Sequence, residues 1–483
     1  MIKEKAKIVG KKVAFLTLGC KVNSYETEGM RELLLSAGAV EVGFDKEADV
    51  YVVNTCSVTN MADRKSRQML HRAKKKNPEA IVVAAGCYVQ AAGEQLVTGE
   101  GIDLIVGNNQ KARIVDLIEG VLGQKKGNGC ALLEIGKEKA YEEMMIETVT
   151  ERTRAYIKIE DGCNQFCSYC IIPYVRGRVR SRGEEEILEE ITRLAKGGYK
   201  EVVLTGIHLS SYGLERKLTG QDTVKTEPEA PEESGIVSEF DDTLVSGADH
   251  SRTVLPLLEI LKKVQEIEGI ERIRLGSLEP RIMTEGFVRE LASLSKVCPH
   301  FHLSLQSGCD ATLKRMNRKY TTEEYYNAVE ILRRYFDKPA ITTDIIVGFP
   351  GETQEEFEAT LRFAKKVAFS QIHIFKYSRR AGTVADRMEG QVSEQVKSER
   401  SDALERVEKS LREGYMAQFF DEEETVLLEE EAELAGKSYM VGHTTRYVKV
   451  YVSTAGEMPH ANETVNVRVL YTRTGDGVLA ELR

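Results

Sequence analysis

The stretch Asp161-Gly162-Cys163-Asn164-Gln165-Phe166-Cys167-Ser168-Tyr169-Cys170 sets three thiols at CxxxCxxC spacing just after the apolar run Ala155-Tyr156-Ile157-Lys158-Ile159. That run reads as a strand, and α/β folds place their sites at the carboxyl ends of strands. The segment therefore calls for a parallel sheet behind it and a short loop that brings three sulfurs to one point. Iron–sulfur cubanes ordinarily take four Cys ligands. Three leave one iron free to bind something that is not protein. A zinc knuckle, or a ferredoxin-like loop with its fourth Cys elsewhere, are the plainer readings. No His stands at zinc-ligand spacing and no further Cys follows closely, which favours the open cluster.

Residues 10–120 alternate strand and helix patterns. Lys12 to Leu18, Asp49 to Val53 and Ala80 to Ala85 read as buried parallel strands, and each runs into a cysteine: Gly19-Cys20, Thr55-Cys56 and Gly86-Cys87. In a doubly wound sheet the carboxyl ends of parallel strands share one edge. These thiols thus form a second convergent trio, dispersed in sequence. Three buried structural cysteines are the alternative, since a free Cys is among the most buried residues. Their repetition in three successive units favours a second cluster.

Residues 121–150 read as a linker, with Cys130 a bystander. From 151 to 395, candidate strands at 155–159, 201–206, 271–276, 301–305, 341–347 and 371–376 alternate with helices, which predicts an open, partial (βα)6 barrel. A stretch at 217–252 interrupts it with nine acidic and three basic residues and no apolar period, and is expected to be a disordered loop. A connecting helix at 396–415 leads into 416–483, where the period becomes alternating strands at 425–429, 447–452 and 463–469. That end of the chain predicts a small β-barrel, an architecture shared by nucleic-acid-binding and SH3-like structural modules. The expected fold class is α/β: an N-terminal doubly wound parallel sheet, a central partial barrel and a C-terminal small β-barrel.

Nine cysteines in grouped spacing fit metal ligation in a reducing compartment better than disulfides. No apolar run approaches the ~18 residues of a membrane span, and the start lacks a signal-peptide core, so a cytoplasmic protein is expected. The net charge of −9 excludes a chain basic throughout but leaves room for a basic patch. Arg176, Arg178, Arg180 and Arg182 alternate after the cysteine loop and are the candidate row for RNA phosphates, a salt-bridged edge being the alternative.

With Tyr169 before its last Cys, the loop resembles the radical S-adenosylmethionine (SAM) superfamily. The three-part arrangement resembles the methylthiotransferase family over essentially the whole chain outside 217–252. Within that family, Leu18-Gly19-Cys20-Lys21-Val22-Asn23 and Asn54-Thr55-Cys56-Ser57-Val58-Thr59-Asn60 are similar to the branch acting on threonylcarbamoyladenosine in tRNA. The isopentenyladenosine branch carries a GCQMN-like first motif, and the ribosomal-protein branch a GCPKN-like one.

The resemblance implies two [4Fe-4S] clusters, one on Cys163, Cys167 and Cys170 and one on Cys20, Cys56 and Cys87. It implies SAM at the first open iron with its adenine near Tyr169, and a SAM-derived radical that takes hydrogen from adenine C2. A methylthio group is then delivered from the second cluster. It further implies a TRAM-like C-terminal module that helps hold the tRNA anticodon loop, and a reductant protein such as flavodoxin or ferredoxin. Gly197 and Gly198 stand where the superfamily's GGE element meets SAM, with Tyr199 in place of its acid. Ser304 and Asp344, at strand ends, are further candidates for SAM contact, whereas His302 and His373 read as structural residues of the barrel. A non-catalytic iron–sulfur RNA-binding protein is the alternative from another class, and three-ligand spacing argues against it.

Overall fold

The computed structural model describes residues 7–93, 96, 101–123, 129–146, 153–219, 255–434, 436–453 and 459–483. Its first layer is an all-parallel sheet in the order Val40–Glu41, Lys12–Thr17, Val50–Thr55, Ile81–Gly86, Leu104–Val106, Gly129–Ala131. Val50–Thr55 is buried at every position because helices cover both faces, the pattern expected of a central parallel strand. One face packs Ala14, Tyr51, Val53 and Val82 against Leu70 and Ala73 of the helix Asn60–Lys76. The other packs Val13, Phe15, Val50 and Val52 against Met30 and Leu34 of Lys21–Ser36 and Ile114 and Ile118 of Ile114–Leu122.

The stretch expected as a linker belongs partly to this layer. Gly129–Ala131, which holds Cys130, is its sixth strand, and Met144 is buried in its core. Three residues are too short to show a strand period, so the sequence gives no warning of this strand.

The second layer is an arc of six parallel strands: Arg154–Lys158, Glu201–Thr205, Arg272–Leu275, then His300–His302, Ala340–Val347 and Gln371–Lys376. The two halves meet at the bridges Ile273↔Val297 and Leu278↔Leu303, and among the described residues Arg154–Lys158 does not pair with Gln371–Lys376, so the barrel stays open. The helix Lys21–Ser36 covers the open side next to Arg154–Lys158, joined through the ion pair Lys158–Glu26 at 2.9 Å. Of the acidic stretch 217–252, residues 217–219 end the helix Leu214–Thr219 and the rest lies outside the described residues.

The helix Glu394–Ala417 leads into a closed five-stranded barrel ordered Glu423–Leu434, Lys437–Thr444, Lys449–Ser453, Gly477–Leu482, Thr464–Thr474. It docks on the amino ends of the arc. Arg272 donates to the carbonyls of Thr425 and His443 at 2.9 Å each, and Arg274 to those of Thr444 and Thr445. Among the described residues, no helix is long and apolar enough to cross a membrane.

Candidate functional site

The dispersed trio meets at the carboxyl edge of the N-terminal sheet. Cys20 caps the helix Lys21–Ser36, Cys56 follows Val50–Thr55, and Cys87 opens Cys87–Ala92. Two glycines permit the approach. Gly19 has φ +107°, and a Cβ there would lie 2.9 Å from Cys56 Cβ and 3.0 Å from its Sγ. Gly86 has φ +95°, and a Cβ would meet Asn54 Oδ1 at 2.5 Å and the Thr55 carbonyl at 2.7 Å. Only glycine takes these backbone conformations without strain. Amides wait beside the sulfurs: Asn108 Nδ2 is 3.7 Å from Cys87 Sγ, and Asn23 Oδ1 is 3.8 Å from Cys20 Sγ.

The second trio lies on the loop after Arg154–Lys158. Gly162 turns it at φ +85°, where a Cβ would strike the Arg178 carbonyl at 1.9 Å. The Gln165 amide donates to Cys163 Sγ at 3.5 Å, and Arg318 Nη1 donates to Cys167 Sγ at 3.2 Å. Burial pushes the Cys56 thiol up to about 11 and Cys170 up to about 12, and raises Cys163 well above its ordinary value. Burial therefore favours the protonated thiols, and a metal bound there would have to displace those protons. Three convergent thiols twice over fit the cluster chemistry the spacing suggests.

One cavity of about 210 Å3 is lined by Cys170 of the loop trio and reaches the segment just beyond Cys56. Tyr169 and Cys170 line it from the loop, Val58 and Thr59 from just beyond Cys56, and Gln306, Asp344 and Phe375 from the barrel strands. Tyr169 stands edge-on to Phe349 at 6.4 Å, which fixes its ring at the wall. Asp344 faces the barrel interior, 3.4 Å from His302 Nε2, and the ligand-type atoms of His302, Asp344 and His373 lie within 4.8 Å of one another. Ser304 does not line this cavity, and its carbonyl accepts from Tyr320 and Arg318.

Two expectations are corrected. Gly197 caps the C-terminus of Glu184–Lys196 and Gly198 follows it, so both precede the strand Glu201–Thr205 and lie at its amino end. Asn462 of the C-terminal barrel donates to the Gly198 carbonyl at 2.8 Å, far from the cysteine loop. The glycine at the correct end is Gly206, where a Cβ would come within 2.6 Å of Glu160 Oε2.

The arginine row is not an RNA-facing edge either. Arg176, Arg180 and Arg182 are buried. Arg176 binds Glu26 at 2.9 Å and Asp161 at 3.0 Å, and its second nitrogen reaches Asn23 Oδ1 at 2.6 Å. Arg182 pairs with Glu190 and Glu143. Only Arg178 is exposed, 4.3 Å over the ring of Phe166. Together Glu26, Asp161, Lys111, Lys158 and Arg176 form a buried charge hub between the two cysteine sites. Burial alone would raise the Glu26 carboxyl, but Arg176, Lys111 and Lys158 outweigh it and hold it well below the usual range.

Sequence reasoning missed Arg318, Glu160, His208 and Glu279. Glu160 Oε1 is buried without a hydrogen-bond partner among the described residues, and burial pushes its carboxyl up. Glu279 sits 3.2 Å from His208 Nε2 and 2.8 Å from Arg281; these partners overcome its burial and hold it at about 2. A weak signal was available, since His208 and Glu279 each follow a barrel strand.

A family model described as the Radical SAM superfamily matches residues 157–364, and one described as uncharacterized protein family UPF0004 matches 12–107. The threonylcarbamoyladenosine tRNA methylthiotransferase MtaB of Bacillus subtilis is 38% identical over 460 residues, 95% of this chain and 93% of its own. The enzyme of the same name from Aquifex aeolicus is 36% identical, covering 89% and 95%. The tRNA-2-methylthio-N(6)-dimethylallyladenosine synthase of Thermodesulfovibrio yellowstonii is 34% identical, covering 96% and 97%. Among solved structures, the radical SAM methyltransferase TsrM of Kitasatospora setae superposes with a TM-score of 0.53 at 13% identity, over 78% of this chain and 77% of its own. That likeness is one of fold.

Proposed function

Because this chain belongs to the tRNA methylthiotransferase family, we propose that it adds a methylthio group to C2 of N6-threonylcarbamoyladenosine in the anticodon loop of tRNA. The observation that carries this reading is the cavity lined by Tyr169 and Cys170 of the loop trio and by Val58 and Thr59 just beyond Cys56, which sets a bound base between the two cysteine sites. Bound there, two [4Fe-4S] clusters and SAM supply the one-electron chemistry that removes hydrogen from C2 and the methylated sulfur that replaces it.

The chain's own residues do the rest. Cys163, Cys167 and Cys170 would hold one cluster, and Cys20, Cys56 and Cys87, none of them in a disulfide, would hold the other. Three protein ligands in each leave a position for SAM and for the transferred sulfur. Arg318 donates to Cys167 Sγ at 3.2 Å and fixes the position of that side chain. Glu160 is buried just before the loop, with Oε2 accepting from the His208 amide at 2.7 Å. Its Oε1 is left without a partner among the described residues and is placed to meet a cationic group of SAM. Tyr169, Ile346 and Phe375 give the cavity an apolar wall that excludes water, while Gln306 and Asp344 orient polar edges.

The base enters unstacked, as nucleobase-modifying enzymes require. Half-exposed Tyr174 and Phe375 offer rings on which loop bases can stack. Electrons come from a reductant of the flavodoxin or ferredoxin class, and the cytoplasm supplies both reductant and tRNA.

The test is turnover by anaerobically reconstituted protein on an anticodon stem–loop bearing threonylcarbamoyladenosine, with nucleoside mass spectrometry. The expected product is the 2-methylthio nucleoside with loss of its parent. Modification of a dimethylallyladenosine stem–loop alone would sink the reading.

A further inference from the structure

Lys21 is the first residue of the helix Lys21–Ser36, one position beyond Cys20, and its side chain enters the open side of the barrel. Its ammonium stands 6.0 Å from the ring centre of Tyr156, a residue of the strand Arg154–Lys158. Among the described residues it has neither an ion pair nor a hydrogen bond, its side chain is exposed, and its nearest charged neighbours are Arg154, Arg274 and Glu201.

The surroundings carry surplus positive charge. Arg154, Arg272 and Arg274 gather around one carboxylate, Glu201, at 3.7, 3.9 and 2.9 Å. Arg154 also holds Glu429, so three guanidiniums face two carboxylates before Lys21 is counted. His300 adds no negative charge, and its ring is stacked 4.5 Å from Tyr447. Asp344, at the cavity, is turned to His302 and His373. A free ammonium in a cation-rich chamber is placed for an anion, and an anion drawn out of water must find such a partner.

The threonylcarbamoyl group ends in a carboxylate, whereas the dimethylallyl group is a hydrocarbon. We propose that Lys21 selects the substrate by pairing its ammonium with the threonyl carboxylate inside the barrel, so that the residue beside the cluster-bearing Cys20 also reads the base's N6 substituent. This rests on the proposed function above. It also gives the Lys in Gly19-Cys20-Lys21-Val22-Asn23 a physical task. The helix holds Cys20 and Lys21 in fixed relation, so a base anchored by its carboxylate is presented to the first cysteine site at a set distance.

The test compares two anticodon stem–loops, one with the natural threonyl carboxylate and one with the carboxamide in its place, on reconstituted enzyme normalised to iron content. The wild type should prefer the carboxylate by about 10- to 100-fold in kcat/KM, the range of a charge-assisted hydrogen bond. Lys21→Met and Lys21→Gln should bring that ratio close to one by raising KM for the carboxylate substrate, and Lys21→Arg should keep most of it.

A wild type that does not distinguish the two stem–loops overturns the proposal without recourse to any variant. So does a Lys21→Met or Lys21→Gln enzyme with the wild-type ratio. A wild type that modifies only a dimethylallyl stem–loop refutes the functional reading instead.

Discussion

Replacing Glu26 by Gln should strike at the junction between the two cysteine sites. Its carboxylate lies 2.8 Å from Lys111, 2.9 Å from Lys158 and 2.9 Å from Arg176, and all four side chains are buried. Removing one partner of a buried pair costs ~3–5 kcal/mol because it strands the opposite charge. Here the low end applies, since Lys158 and Arg176 keep Asp161 at 2.7 and 3.0 Å and Gln keeps the shape.

The stranded cation is Lys111, left with Asn108 Oδ1 at 2.6 Å. A loss of ~3 kcal/mol lowers the folding equilibrium roughly a hundredfold and takes a large part of a typical 5–15 kcal/mol stability. Guanidinium unfolding of cluster-free protein, followed by circular dichroism because the chain has no Trp, should show the midpoint fall. Adding Lys111→Met to Glu26→Gln should recover about half of the loss, a coupling that a double-mutant cycle reads directly.

The pH sign follows from the depressed carboxyl. Its stabilisation is complete above the ordinary carboxylate pKa and is lost as pH falls through the lower folded value, so the Gln variant should be less acid-sensitive than the wild type. A variant within ~0.5 kcal/mol of wild type, or a double variant weaker by the plain sum, would refute the stranded-charge account.

Cys167→Ala should lower bound iron to about half and abolish SAM cleavage, while Cys56→Ala should lower iron similarly yet retain cleavage without methylthiolation. Iron assay and 5′-deoxyadenosine release check both. Gly86→Ala puts a Cβ 2.5 Å from Asn54 Oδ1 at a positive φ, which should cost about 1–3 kcal/mol in thermal melts and release iron at the site of Cys87. Glu279, held at about 2 against burial by His208 and Arg281, contributes stability that is present above ordinary carboxylate pH and lost as pH falls toward 2. Glu279→Gln should flatten that acid limb by about 3 kcal/mol in urea titrations at stepped pH.

Much of this architecture was legible because it repeats. Val50–Thr55 and Ile81–Gly86 read as apolar runs, each ending in a Cys, and a parallel sheet brings such ends to one edge by geometry alone. The loop of Cys163, Cys167 and Cys170 is local in sequence and needed no tertiary information. What failed depended on distant partners. Arg176 and Arg182 read as surface cations because their acids, Glu26 and Glu190, lie 150 and 8 residues away and the burial of either pair leaves no sequence trace.

Gly197 and Gly198 were misplaced for a directional reason. They precede their strand, and the residues that follow a strand, here Gly206 and His208, face the site. The strands Lys437–Thr444 and Gly477–Leu482 were passed over because their apolar residues alternate for only part of their length.

The clasp of Arg272 and Arg274 on the carbonyls of Thr425, His443, Thr444 and Thr445 gives the last domain a second office. A module read from its strands as a handle for RNA is also the floor of the reaction chamber. Truncation at residue 415 would therefore do more than remove a candidate RNA-binding module. It would open the far end of the barrel to bulk water and leave three guanidiniums around Glu201 without the carbonyls and the Glu429 carboxylate that now satisfy them. Radical chemistry needs a sealed vessel, and in this chain the C-terminal barrel, clasped to the amino ends of the arc, is the piece that closes it.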